Sequence, residues 1–308
     1  KEEGRDERHL FESDFLLGVF DGHRMGGLRF KLNQDGPFLN DHKKMATPPW
    51  TSLRELEQAS LQLERHDAMN DPEYYHWLSL LIDPGSSLGG ARPKASVVDD
   101  QGHLWIAKFP SSSDDKNVGA WEMVLHQLAI ACGIQVSEAR LQKFSSKHAT
   151  FLSKRFDRTK NQRRIHFASA LTLLGLQDGA DYLEGVGYLD LVAFVMKNSP
   201  QAKEDLEQLW RRMAFNMMVS NTDDHLRNHG FILTNNGWRL SPAYDMNPNE
   251  MGHGLTLNIS ESSNDLDLSI ALETAHWYQL KRDRAERILK EMQLEISLWR
   301  TVAKKHGI

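Results

Sequence analysis

Asp223, His225, Asn228 and Asp245 are the residues of this 308-residue chain whose types and spacing could do chemistry. Asp223 and Asn228 stand five positions apart in Ser220-Asn221-Thr222-Asp223-Asp224-His225-Leu226-Arg227-Asn228. Asp245 follows in Ser241-Pro242-Ala243-Tyr244-Asp245-Met246. One carboxylate can orient a hydroxyl and accept its proton, while an amide oxygen and a second carboxylate can hold magnesium against phosphates. An Asp with an Asn five residues on is also the spacing of a protein-kinase catalytic loop, base first and metal ligand second. Asp245 falls after a short strand pair, where a second metal-binding Asp would return to a cleft. Any one of these residues could merely cap a helix or line a turn. Together, behind an apolar helix, they read as phosphoryl-transfer chemistry. Asp224 reads as a solvated neighbour rather than a second base.

Such chemistry also needs a loop over the phosphates and a cation beneath them. The stretch Pro84-Gly85-Ser86-Ser87-Leu88-Gly89-Gly90-Ala91-Arg92-Pro93-Lys94 is rich in glycine and serine, so its backbone N–H groups could approach phosphates closely. It lacks the glycine spacing of a Walker loop, and by itself it also reads as a simple turn. Lys108 lies in Leu104-Trp105-Ile106-Ala107-Lys108-Phe109, where apolar neighbours on both sides predict a buried lysine that must meet anions. Glu122, early in the next helix, is its expected partner. The bland alternatives are an edge lysine in solvent and a solvated helix face. His225 and His229 have zinc-helix spacing, but Leu226 stands where a metalloprotease carries its glutamate. His225 is therefore expected under the catalytic loop, holding its backbone. The run Arg158-Thr159-Lys160-Asn161-Gln162-Arg163-Arg164 reads as a solvated basic loop, or else as a contact for an acidic partner.

Composition sets the frame. Apolar residues make up 40% and charged residues 26%, the balance of a soluble globular protein with a core. A net charge of −5 argues against broad nucleic-acid binding. The single cysteine, Cys132, allows no intrachain disulfide and suits a reducing, cytoplasmic setting. No apolar run approaches a membrane span, so no membrane association is expected. The chain begins at Lys1 rather than at methionine, so a preceding segment is expected to be trimmed or missing.

The elements that must position these residues follow from periodicity. Phe15–Phe20 and Leu28–Leu32 read as short strands, and helices are expected after Thr51 and after Asp71-Pro72. Lys94–Val98 and His103–Phe109 flank Asp99-Asp100-Gln101-Gly102 as a hairpin. Val118–Ala131 reads as an amphipathic helix stopped by Gly133. Strands are expected at Leu141–Phe144 and Thr150–Phe156. Beyond Asp157, helices are expected over 188–196, 205–219, 269–280 and 284–304, interrupted by strands 230–234 and 238–240. A strand-rich first part (1–157) and a helical second part (158–308) predict a two-lobed α+β enzyme with a cleft between the lobes.

At these residues the chain resembles the HipA family of bacterial toxin kinases, distant relatives of protein kinases in fold. The match is carried by Ser87–Lys94, Trp105–Pro110, Lys154-Arg155-Phe156-Asp157-Arg158, Thr222–Asn228 and Ala243-Tyr244-Asp245-Met246, in the family's order. The resemblance implies a two-lobed protein-kinase-like fold with a strand-rich N-lobe and a helical C-lobe. It implies Asp223 as catalytic base, Asn228 and Asp245 as magnesium ligands, and Lys108 on the ATP phosphates. Lys94 and the loop glycines Gly89 and Gly90 would line the phosphates, with Arg155 and Phe156 at the adenine. Ser87, or the adjacent Ser86, would be an autophosphorylated serine. A protein substrate such as an aminoacyl-tRNA synthetase is implied. So is a HipB-like helix-turn-helix antitoxin, through which alone DNA would be contacted. Two other readings stay open: a small-molecule kinase on the same scaffold, and a non-catalytic co-repressor acting with a DNA-binding partner.

Overall fold

A computed structural model describes residues 11–41, 47–85 and 92–308. The chain forms two compact units, Lys1–Gly119 with Ala139–Arg164, and Ala120–Glu138 with Ile165–Ile308.

The first unit carries helices α1 (Glu12–Gly18), α2 (Leu53–Leu63) and α3 (Tyr74–Gly85) and an antiparallel sheet. Its strands, β1 (Lys94–Val98), β2 (Leu104–Lys108), β3 (Ala139–Gln142) and β4 (Thr150–Lys154), are ordered β1-β2-β4-β3. The β1–β2 hairpin forms where its turn residues predict. The Asp99 carboxylate accepts hydrogen bonds from the amides of Gln101 (3.0 Å) and His103 (2.7 Å) and from Trp105 Nε1 (2.9 Å). Gly102 supplies the left-handed residue, at φ 81°. Ala95, Val97, Trp105, Ala107 and Leu152 lie on one face and bury Leu53 and Leu56 of α2 against them. The expected strand over 15–20 is instead α1, whose entry is capped by Asp14 accepting from the Phe11 amide at 2.9 Å. Without a partner strand for its ladder, a short apolar run gains more from helical hydrogen bonds.

The second unit opens with α4 (Val118–Ala131), followed by Gly133 at φ 73°. Beyond it lie β5 (Phe167–Ser169), α5 (Ala170–Leu174), α6 (Tyr188–Asn198), α7 (Ala202–Met218), β6 (Gly230–Thr234) and β7 (Gly237–Leu240). Helices α8 (Leu268–Thr274), α9 (Arg282–Ser297) and α10 (Trp299–Lys305) complete it. The core gathers Leu191 and Val195 of α6, Leu206, Trp210, Met213 and Phe215 of α7, and Ala285 and Ile288 of α9. Residues 120–138 group with this unit rather than with the sheet, because Leu125, Leu128, Cys132 and Ile134 enter its core. The sheet order β5-β6-β7 includes a strand not expected from sequence; β5 is three residues long, too short to show an alternation. Among the described residues no helix is long and apolar enough to cross a membrane.

Candidate functional site

Helix α7 delivers the chain into the loop that holds Asp223. The helix ends on Asn216-Met217-Met218, and Asn221 N–H returns to the Asn216 carbonyl at 2.9 Å. Ser220 takes the left-handed conformation, φ 54°, to make that reversal. Leu226, 1% exposed, anchors the middle of the loop in the core. At its far end the His229 carbonyl accepts from the Ala170 amide at 2.8 Å, next to β5. Within the loop, Asn228 N–H bonds the His225 carbonyl at 2.8 Å, and Asn228 Nδ2 donates to the Asp223 carbonyl at 2.9 Å. The Asp223 side chain is exposed and makes no hydrogen bond or ion pair among the described residues. A rigidly held backbone thus presents an accessible carboxylate.

Asp224 is not the solvated neighbour its sequence suggests: it is 2% exposed. Its carboxylate accepts from His229 Nε2 (3.0 Å to Oδ1) and from the Tyr188 hydroxyl. Burial pushes the Asp224 pKa up. The nearby His229, its hydrogen bond and those of Tyr188 and Asn216 outweigh burial and hold the carboxyl below its ordinary value. Tyr188 is pushed well upward, first by burial and then by the Asp224 charge, so its hydroxyl remains a donor. The ring that braces the loop is therefore that of His229. His225 contributes its backbone carbonyl, while its half-buried ring leaves Nδ1 without a partner among the described residues. That is a correction: the periodicity-free loop hides which of two histidines points inward.

Asp245 is brought alongside by a series of cross-links between the two loops. Tyr244 Oη donates to the Arg227 carbonyl at 2.7 Å, just before it. Just after it, Asn247 N–H donates to Asn221 Oδ1 at 3.1 Å, and Asn249 N–H to the Ser220 carbonyl at 2.8 Å. Asn249 Nδ2 also reaches Thr222 Oγ1 at 2.9 Å. Asp245 itself has φ 58°, a conformation that costs about 1–3 kcal/mol outside glycine and is held by these flanking bonds. The donor set suits a hard cation. Asn228 Nδ2 is occupied by the Asp223 carbonyl, so Oδ1 is the atom that could coordinate one, and Asp245 could add a carboxylate. Beside it, Asn247 Oδ1 is buried with no hydrogen-bond donor among the described residues.

In the first unit, β2 alternates cleanly. Trp105 and Ala107 are buried, while Leu104, Ile106 and Lys108 lie on the half-buried opposite face. Lys108 is thus not enclosed by its neighbours as expected, because strand alternation turns them to the other side. Its cross-strand partner is Lys94, so the face presents two lysines in register. Lys108 Nζ also lies 6.0 Å from the Phe151 ring centroid. Glu122, the expected partner of Lys108 with a solvated helix face as the alternative, is 4% exposed, which excludes the solvated face.

Arg155 offers no exposed side chain for a base. Its guanidinium donates to Asp157 (2.9 and 2.7 Å) and to the His23 carbonyl (2.7 Å). Phe156 is half-buried. Arg158 and Arg164 are likewise turned inward, onto Asp157, Asp21 and the carbonyls of Gly22, Arg24 and Gly26, rather than solvated. Ser86, Ser87, Gly89 and Gly90 lie outside the described residues.

A family model described as the HipA-like C-terminal domain matches residues 86–299. A Haemophilus influenzae protein named "Putative kinase" is 26% identical over 179 residues, 52% of this chain and 52% of that protein. The serine/threonine-protein kinase toxin HipA of Shewanella oneidensis is 28% identical over 232 residues, 66% of this chain and 51% of that protein. The chain spans about half the length of these relatives. Among solved structures, the Shewanella oneidensis HipA, HipB and operator DNA complex matches with a TM-score of 0.57 at 19% identity, over 71% of this chain and 58% of that one. The likeness shows the fold: the α+β, HipA-like architecture expected from the sequence is the one found.

Proposed function

Since the chain belongs to the family of HipA-like C-terminal domains, we propose that it is an ATP- and magnesium-dependent serine/threonine-protein kinase. The observation that carries this reading is the pairing of an exposed Asp223 carboxylate with an Asn228 side chain fastened to the Asp223 backbone. Asp223 orients the acceptor hydroxyl and takes its proton. Asn228 Oδ1 and the Asp245 carboxylate hold magnesium. When bound, the metal neutralises charge on the β- and γ-phosphates.

Lys108 and Lys94 attract the phosphates from the half-buried face of the sheet. Phe156 offers a face for the adenine, with Arg155 fixing the backbone before it. The loop containing Gly89 and Gly90 covers the phosphates, and Ser87, or Ser86 beside it, is the autophosphorylated residue. Phosphate there would repel ATP and silence the enzyme. The acceptor is a protein, with an aminoacyl-tRNA synthetase as the first one to test. The Shewanella structure contains HipB and operator DNA, and a HipB-like partner is proposed here by that analogy.

Transfer of label from γ-labelled ATP to lysate proteins tests the reading. Asp223→Asn should lose at least ~100-fold in rate. A labelled metabolite with no labelled protein would reassign the enzyme to small-molecule phosphorylation.

A further inference from the structure

Asp224 ends a buried hydrogen-bond chain that the proposed chemistry leaves unexplained. Asn247 N–H donates to Asn221 Oδ1 at 3.1 Å, and Asn221 Nδ2 donates to Asn216 Oδ1 at 3.0 Å. Asn216 Nδ2 then donates to Tyr188 Oη at 3.1 Å, and the Tyr188 hydroxyl donates to Asp224. Every donor points the same way, toward one carboxylate. A chain ordered like this is polarised by the charge at its end, so each bond strengthens the next. His229 Nε2 closes it from the other side.

The members come from four separate places: α6, the last turn of α7, the Asp223 loop and the segment after Asp245. Tyr188, Asn216, Asn221, Asp224 and His229 are all within 4% of complete burial. Well-packed apolar side chains in their place would often stabilise the fold as well or better. Their chemistry therefore calls for a task beyond packing. That task is visible at the two ends. One end is the residue beside Asp223; the other is two residues past Asp245.

We propose that Tyr188, Asn216, Asn221 and Asp224 are positioning residues, which couple the Asp223–Asn228 loop to the Asp245 loop so that the two move as one. The consequence for rate rests on the kinase reading given above; the coupling itself does not.

The full chain carrying Tyr188→Phe tests this, because the variant keeps the ring and removes only the hydroxyl that joins Asn216 to Asp224. Two measurements are made: exchange of the Asn247 amide, and kcat with KM for ATP. The amide lies three hydrogen bonds from the substituted hydroxyl, through Asn221 and Asn216. Its exchange should accelerate by up to ~10-fold. Turnover should fall at least ~10-fold with KM for ATP changed by less than ~3-fold. Should Tyr188→Phe not fold, the isosteric Asp224→Asn removes the polarising charge and is read in the same two ways.

Exchange that accelerates without loss of kcat would mean a merely structural chain and overturn the positioning role. An unchanged Asn247 amide would overturn the coupling, whatever happens to kcat. If the unaltered chain transfers no phosphate while its Asn247 amide responds to Tyr188→Phe, the kinase reading fails and the coupling stands. If the unaltered chain is active, Asp223→Asn is inactive and Tyr188→Phe matches the unaltered chain in both measurements, the positioning inference alone fails.

Discussion

Asn228 donates its side-chain amide to the carbonyl oxygen of Asp223, at 2.9 Å. This one bond makes the proposed base and the proposed metal ligand parts of the same small ring of chain. It turns the Asn228 oxygen into the free end of the amide. It also restrains the Asp223 backbone.

Asn228→Ala removes both the coordinating oxygen and the brace. Affinity for Mn²⁺, used as a spectroscopic substitute for magnesium, should weaken at least ~10-fold by direct binding. Unchanged Mn²⁺ affinity would remove Asn228 from the metal site.

Asp157 carries a prediction about acid stability. Burial pushes its pKa up, but the Arg155 hydrogen bonds, the Arg155 and Arg158 charges and the Gly26 amide together hold it below its ordinary value. A depressed carboxylate binds fewer protons folded than unfolded, so its contribution is complete above the unfolded value of about 4. It is lost as pH falls through the folded value. Asp157→Ala should therefore destabilise the protein at pH 7 by about 3–5 kcal/mol, since two arginines are left buried without their counter-ion. The loss should shrink toward low pH, as followed by urea unfolding at several pH values.

How much of this was legible in the sequence differs by residue. Asp223, Asn228 and Asp245 could be picked out as candidates because loop chemistry needs particular residue types at particular spacings. Lys94–Val98 and the Asp99–Gly102 turn are legible because their hydrogen bonds are local. The burial of Asp224 was not. Its partners include Tyr188 on another helix, and a short-range pattern carries no sign of them. The inward turn of Arg158 and Arg164 was hidden for the same reason: besides the Asp157 and Asp21 carboxylates, their acceptors are main-chain carbonyls of residues 21–26, which every residue type possesses.

Gly252 offers a steric test of the site's second wall. A Cβ on it would stand 1.9 Å from Thr222 Oγ1 and 2.6 Å from Thr222 Cβ, so one segment must move. Gly252→Ala should cost about 1–3 kcal/mol by overpacking and break the Asn249–Thr222 bond. A drop in melting temperature together with lower turnover is expected. Wild-type values for both would mean the 249–252 turn adjusts without disturbing Thr222.

Asp223, and not its buried neighbour Asp224, is the residue proposed to act on the acceptor. The most direct measurement is the rate of phosphate transfer from ATP by Asp223→Asn in the presence of magnesium, with folding checked by circular dichroism. A folded variant at least ~100-fold slower than the unaltered chain is the predicted result. A folded Asp223→Asn variant that transfers phosphate at the unaltered rate would contradict it.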